Sequence, residues 1–195
     1  MTQHSDIQPM TRAERLRAAT HPTHEGLDRS IMIARPFESV PNYGRFLRVQ
    51  AAFHHDISPI YEMAEVAAII PGLSSLSRLE AVRADATDLG IELPALQAPA
   101  ALGLPLPEAL GWLYVVEGSN LGAAFLFKAA LKLGLSQAHG ARHLSEADAG
   151  RAAQWRRFKE GLNAPAFTPK EEARVVDGAN AAFLRVMDLV RLHMA

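Results

Sequence analysis

The chain of 195 residues contains no cysteine. That excludes disulfides, iron–sulfur clusters, thiolate-ligated haem and cysteine nucleophiles, and it suits a reducing compartment. An excess of either charge is missing too, because 20 Lys and Arg face 21 Asp and Glu for a formal net charge of -1. Such a chain has no global field to gather nucleic acid or an acidic membrane surface, and neither is expected as a partner. No long uninterrupted hydrophobic run occurs. The most apolar region, Leu102 to Leu135, is broken by Glu108, Glu117, Ser119, Asn120, Lys128 and Lys132, so it reads as a buried helix rather than a membrane span. The segment Met1 to Pro9 is polar and has no apolar stretch of the secretory kind. Residues 1–10 are therefore expected to form a flexible tail, and the location to be cytoplasmic. No phosphate-binding Gly-x4-Gly-Lys, no nicotinamide or flavin fingerprint and no His-Glu-x-x-His is present, and no strand pattern, repeat or linker interrupts the chain.

What is present is helix-forming sequence of ordinary globular composition, 49% hydrophobic and 21% charged. It predicts an all-α, single-domain, multi-helix fold over residues 11–195. The first helix spans Thr11 to Ile33. Pro22 is expected to interrupt it, with Thr20 capping a restart, which places His24 near a helix N-terminus. Further helices are predicted from Val40 through His54, from Tyr61 to Ile70, and from Leu73 to Leu89. The last of these carries Arg78, Glu80, Arg83, Asp85 and Asp88 on its wet side. A connector over Ile91 to Pro105 leads to a long helix from Pro107 to about Leu133, on the order of 40 Å. Two more follow, Glu146–Leu162 and Thr168–His193, the second announced by Thr168-Pro169-Lys170-Glu171.

Two features stand out against this background. The long helix carries Gly111, Gly118 and Gly122 in its interior, each costing about 1 kcal/mol relative to alanine. Gly118 and Gly122 share a face that Ser119 and Ala123 extend, so something approaches that backbone closely. A neighbouring helix and a flat ligand both satisfy the pattern. The second feature is histidine, of which there are eight. His24 has Asp28 four residues on, a helical neighbour. A carboxylate in that position fixes the tautomer of a metal-bound imidazole, and the same spacing also occurs in plain surface pairs.

The run from Glu108 through Gly-Trp-Leu-Tyr114-Val-Val-Glu-Gly118-Ser119-Asn120-Leu121-Gly122 to Phe125 resembles the distal-helix signature of bacterial haem oxygenases. Thr20-His-Pro-Thr-His24-Glu-Gly-Leu27-Asp28 is similar to the proximal segment of that family. Phe53-His-His-Asp56 and Pro71-Gly-Leu73 match between them. The resemblance implies a haem sandwiched between a proximal helix and a Gly-kinked distal helix. It makes His24 the axial iron ligand, with Asp28 and Leu27 beside it. Gly118, Ser119 and Gly122 would lie on the oxygen side, and Arg78 in a proton-supplying water network. Arg17 and Tyr114 would meet the haem propionates and favour the α isomer of biliverdin. Asn120, Leu121, Phe125 and Phe183 would complete the pocket. The products implied are biliverdin, carbon monoxide and ferrous iron, from haem, dioxygen and electrons of a separate donor such as a reductase, ferredoxin or ascorbate. A bilin-accepting phytochrome is a further implied partner. A haem carrier or sensor binding through His24 would share the same pocket.

Overall fold

Helix α1 (Arg12–Ile33) begins where Thr11 and Glu14 cap each other: the Thr11 N–H donates to the Glu14 carboxylate at 2.8 Å, and the Thr11 hydroxyl oxygen accepts the Glu14 N–H. The structure, a computed structural model, describes residues 10–95, 97–146 and 150–194. The expected N-terminal tail lies outside the described residues except for Met10. After α1 come α2 (Val40–Ile57), capped by Ser39, then a 3-10 turn at Ser58–Glu62 and the short α3 (Ala64–Ile69). Another 3-10 turn at Leu73–Leu76 precedes α4 (Leu79–Asp88). The long α5 (Leu106–Lys132) follows, then a 3-10 turn at Arg142–Leu144, α6 (Arg151–Asn163) and α7 (Pro169–Met194). Among the described residues the only β pairing is a pair of isolated bridges from Ser136 to His139 and Gly140, so the fold is all-α.

Helix α7 organises the molecule by packing on α1, α2 and α5. Its contact with α5 is made backbone to backbone. A Cβ on Gly111 would stand 2.2 Å from the Val175 carbonyl oxygen, and one on Gly178 would stand 2.3 Å from the Glu108 carbonyl oxygen. Arg174 clamps the same crossing to Glu108 at 2.7 Å. The pairs from Arg12 to Glu172 and from His24 to Phe183 make α1 and α7 run in the same direction, and the α5 crossing puts the first turns of all three helices level. Around this trio lies the core, in which Tyr43, Phe46, Leu47, Leu110, Leu113 and Phe158 are fully buried. Helix α5 is the one described helix long and apolar enough to cross a membrane, and half of its most apolar stretch is buried inside the protein.

Four local expectations are corrected. Pro22 does not interrupt α1, and Thr20 does not cap a restart: its hydroxyl donates to the Leu16 carbonyl at 2.8 Å in the middle of a continuous helix. His24 is accordingly a mid-helix residue. The packing of Leu16 and Leu27 on opposite sides of the proline holds both halves in one helix. The stretch Leu73–Leu89 is two elements, parted at Ser77–Arg78. Asp85 is not on a wet face but fully buried, where its carboxylate accepts from the backbone N–H groups of Arg142 and His143 and from the His143 ring at 2.7 Å. Helix α6 starts at Arg151 rather than Glu146, and residues 147–149 of the expected span lie outside the described residues.

Candidate active site

The levelled helices bring the candidate residues to one height. Tyr114 of α5 neighbours Thr20 and Arg17 of α1; burial pushes its phenol up, while Thr20 and then Arg17 act the other way. One helical turn beyond this meeting stands His24 on α1 and Gly118 on α5. Phe183 of α7, itself buried, turns its ring edge to His24 at 5.8 Å between centroids. The structure thus groups Arg17, Tyr114, His24 and Phe183 along the α1 side, with Leu27 buried one turn on.

His24 is 58% exposed, and its Nδ1 lies 3.1 Å from Asp28 Oδ2. With the Nδ1 proton donated to the carboxylate, Nε2 keeps its lone pair for a ligand. Across from it, the two glycines separate from Gly111. Gly111 is filled by the backbone of α7, but a Cβ on Gly118 would meet only the Trp155 ring at 3.7 Å, an ordinary contact, and one on Gly122 would meet nothing. The helix-packing explanation therefore holds for Gly111 and fails for Gly122. Leu121 and Phe125 continue this uncovered face, Phe125 being 68% exposed.

Behind that face lies a polar cluster. Glu117 is buried on α5, and its carboxylate accepts from Tyr61 at 2.8 Å and from Asn120 and Gln154, each at 3.2 Å. Burial raises its pKa; the three hydrogen bonds and Arg78 act against the rise. Asn120 thus points its amide back at Glu117 and lines a small cavity with Arg78, Arg151, Gln154 and Trp155. Arg78 donates to the carbonyls of His143 and Ser145, and burial lowers its pKa. The Ser119 hydroxyl donates to the Val116 carbonyl at 2.7 Å. Deeper still, Nδ1 of His54 and Nε2 of His143 are buried without a hydrogen-bond partner among the described residues.

The family model for heme oxygenase matches residues 10–192. The chain belongs to the haem oxygenase family. It is 43% identical over 185 residues to heme oxygenase PigA of Pseudomonas aeruginosa, covering 94% of this chain and 93% of that protein. Its fold superposes with a TM-score of 0.89 on a crystal structure of the NO- and CO-bound heme oxygenase from Neisseria meningitidis, at 41% identity, covering 95% of this chain and 93% of that one. As a haem oxygenase the chain is an enzyme, and its fold is that of the family. Several residues around this haem oxygenase's candidate site are not evident from the sequence alone. Glu117 carried a signal, an acid in an apolar helix that must find partners when buried. Tyr61, Gln154, Trp155 and the Asp85–His143 pair carried none, because each depends on residues far away in the chain.

Proposed function

We propose that the chain degrades haem with dioxygen and reductant to biliverdin, carbon monoxide and ferrous iron, holding the iron through Nε2 of His24. The observation that carries this reading is the uncovered glycine face of α5, level with an exposed histidine whose other nitrogen is engaged. Both the metal donor and the space for a flat ring are of the kind haem needs: a neutral imidazole oriented by a carboxylate, and backbone that a Cβ would obstruct. Bound haem supplies the redox chemistry and is itself the substrate consumed.

The chain's own residues orient and protonate. Asp28 fixes the His24 tautomer. Leu27, Phe183, Leu121 and Phe125 offer apolar walls that exclude water. Gly118 and Gly122 would leave room for a small diatomic beside the backbone of α5. Arg17 is suited to grip a carboxylate with two N–H groups, and Tyr114 adds a hydroxyl at the same end. Together they favour the seating that yields mainly the α isomer. The Ser119 proton is already committed to Val116, so Ser119 offers an acceptor rather than a proton. Protons are supplied by water held near Arg78 and Asn120, with the guanidinium positioning that water. Electrons come from a separate donor, a reductase, ferredoxin or ascorbate, in a cytoplasmic setting, and a bilin-accepting phytochrome is one destination for the product.

Titrating haem into the protein, adding ascorbate in air and following the Soret band tests the reading. Collapse of the band into a biliverdin spectrum, mostly the α isomer on chromatography, is expected. A stable haem complex that survives reductant would instead identify a carrier or sensor, and no Soret band at all would refute the site. His24→Ala should weaken haem binding and abolish turnover.

A further inference from the structure

The edge of α6 that backs the glycine face consists of Arg151, Gln154, Trp155 and Phe158, spaced to lie on one side of the helix. Gln154 reaches Glu117, and Trp155 lies under Gly118 and beside Tyr114 at 5.9 Å between ring centroids. Arg151 does something different, because its targets are backbone. Its Nη1 donates to the Asn120 carbonyl at 2.9 Å and its Nη2 to the Leu144 carbonyl at 2.6 Å. Asn120 stands midway between Gly118 and Gly122, and its side chain is held from the other end by Glu117 at 3.2 Å. The Arg142–Leu144 turn is in turn pinned by Arg78, which takes the carbonyls of His143 and Ser145.

A helical turn with two glycines has weak intrinsic preference for its own shape, so its position depends on what holds it from outside. We infer that Arg151 is a positioning residue: its fork ties the 118–122 turn of α5 to the pinned 142–145 turn and thereby sets the surface that the two glycines present. Two acceptors on two separate elements suit a planar guanidinium and not a single ammonium. That this surface receives haem rests on the function proposed above; the restraint itself does not.

Hydrogen exchange of the haem-free protein, read on peptides within residues 116–126, tests the restraint directly. Arg151→Met should accelerate exchange there by about tenfold or more, the effect of losing one charge-assisted hydrogen bond. Arg151→Lys should fall between, keeping the charge and one of the two contacts, and it carries the test if the Met variant does not fold. Arg174→Met removes a comparable guanidinium contact from the other end of α5 and should leave this segment unchanged. On the haem-loaded protein, Arg151→Met should broaden the mixture of biliverdin isomers relative to the parent. Unchanged exchange in both Arg151 variants, or equal acceleration in Arg174→Met, would overturn the inference. Failure of the parent to degrade haem would sink the proposed function instead, with the exchange result still deciding on Arg151.

Discussion

Adding a methyl group at Gly122 separates folding from ligand binding in opposite directions. A helix-interior glycine costs about 1 kcal/mol relative to alanine. A Cβ at Gly122 would meet nothing, so Gly122→Ala should recover most of that and stabilise the haem-free protein by about 0.5–1 kcal/mol, a rise of roughly 1–4 °C in Tm for a chain of this size. Gly118→Ala should behave similarly, since its Cβ would rest on the Trp155 ring at an ordinary 3.7 Å. For haem seated on this face, as proposed above, the same methyl is an obstruction. Overpacking of one methyl in a fitted site costs about 1–3 kcal/mol, which weakens haem affinity by roughly 5- to 150-fold. Thermal unfolding of the haem-free variants and Soret titration measure the two halves separately. If both variants lost stability without haem, the face would be a packing surface. If they gained stability and bound haem as tightly as the parent, the face would not be where haem lies.

At the α5–α7 crossing the sign reverses. Gly178→Ala should destabilise by about 1–3 kcal/mol or prevent folding, because its Cβ would press on Glu108 backbone at 2.3 Å; a variant with parental Tm would contradict the crossing. Asp28→Asn should leave stability within about 0.5 kcal/mol, both partners being exposed, while lowering the iron–histidine stretching frequency; an unchanged frequency would remove Asp28 from its role. Acid should act through His54, whose pKa is lowered to about 3, first by burial and then by His143 and Arg78. The unfolded chain takes up that proton at the ordinary histidine value near 6.5, so the stability of neutral His54 is complete above about pH 6.5. It is lost as pH falls toward 3, at up to about 1.4 kcal/mol per pH unit. His54→Leu should flatten the fall in Tm between pH 6.5 and 4, and an equal slope in both proteins would refute the assignment.

Local chemistry made much of the fold legible. Thr11 with Glu14 and Thr168 with Glu171 cap their helices within three residues, so the signal and its effect sit together. The long helix closing at Gly134, where φ is +79°, was legible for the same reason. Pro22 misled because its local cost is overridden by burial of Leu16 and Leu27 against the rest of the protein. Asp85 misled because a charge among charges looks solvated, while its partner His143 stands 58 residues away. In the site, His24 and the glycines were visible as types in a pattern. Their arrangement was not, since it depends on which of three identical glycines has a neighbour.

Those three glycines have a simple geometric relation. At about 100° per residue, the seven positions from Gly111 to Gly118 and the eleven to Gly122 each fall within about 20° of whole turns. They form one straight column up the side of α5, closed at its foot by the backbone of α7, resting against the Trp155 ring two turns higher and open three turns higher. The contact at the foot therefore fixes the azimuth of the opening at the top. One residue inserted between Gly111 and Gly118 would swing everything above it by about 100° and bring Glu117 and Leu121 into the positions the two glycines now hold, leaving every helix intact and the uncovered face filled with side chains.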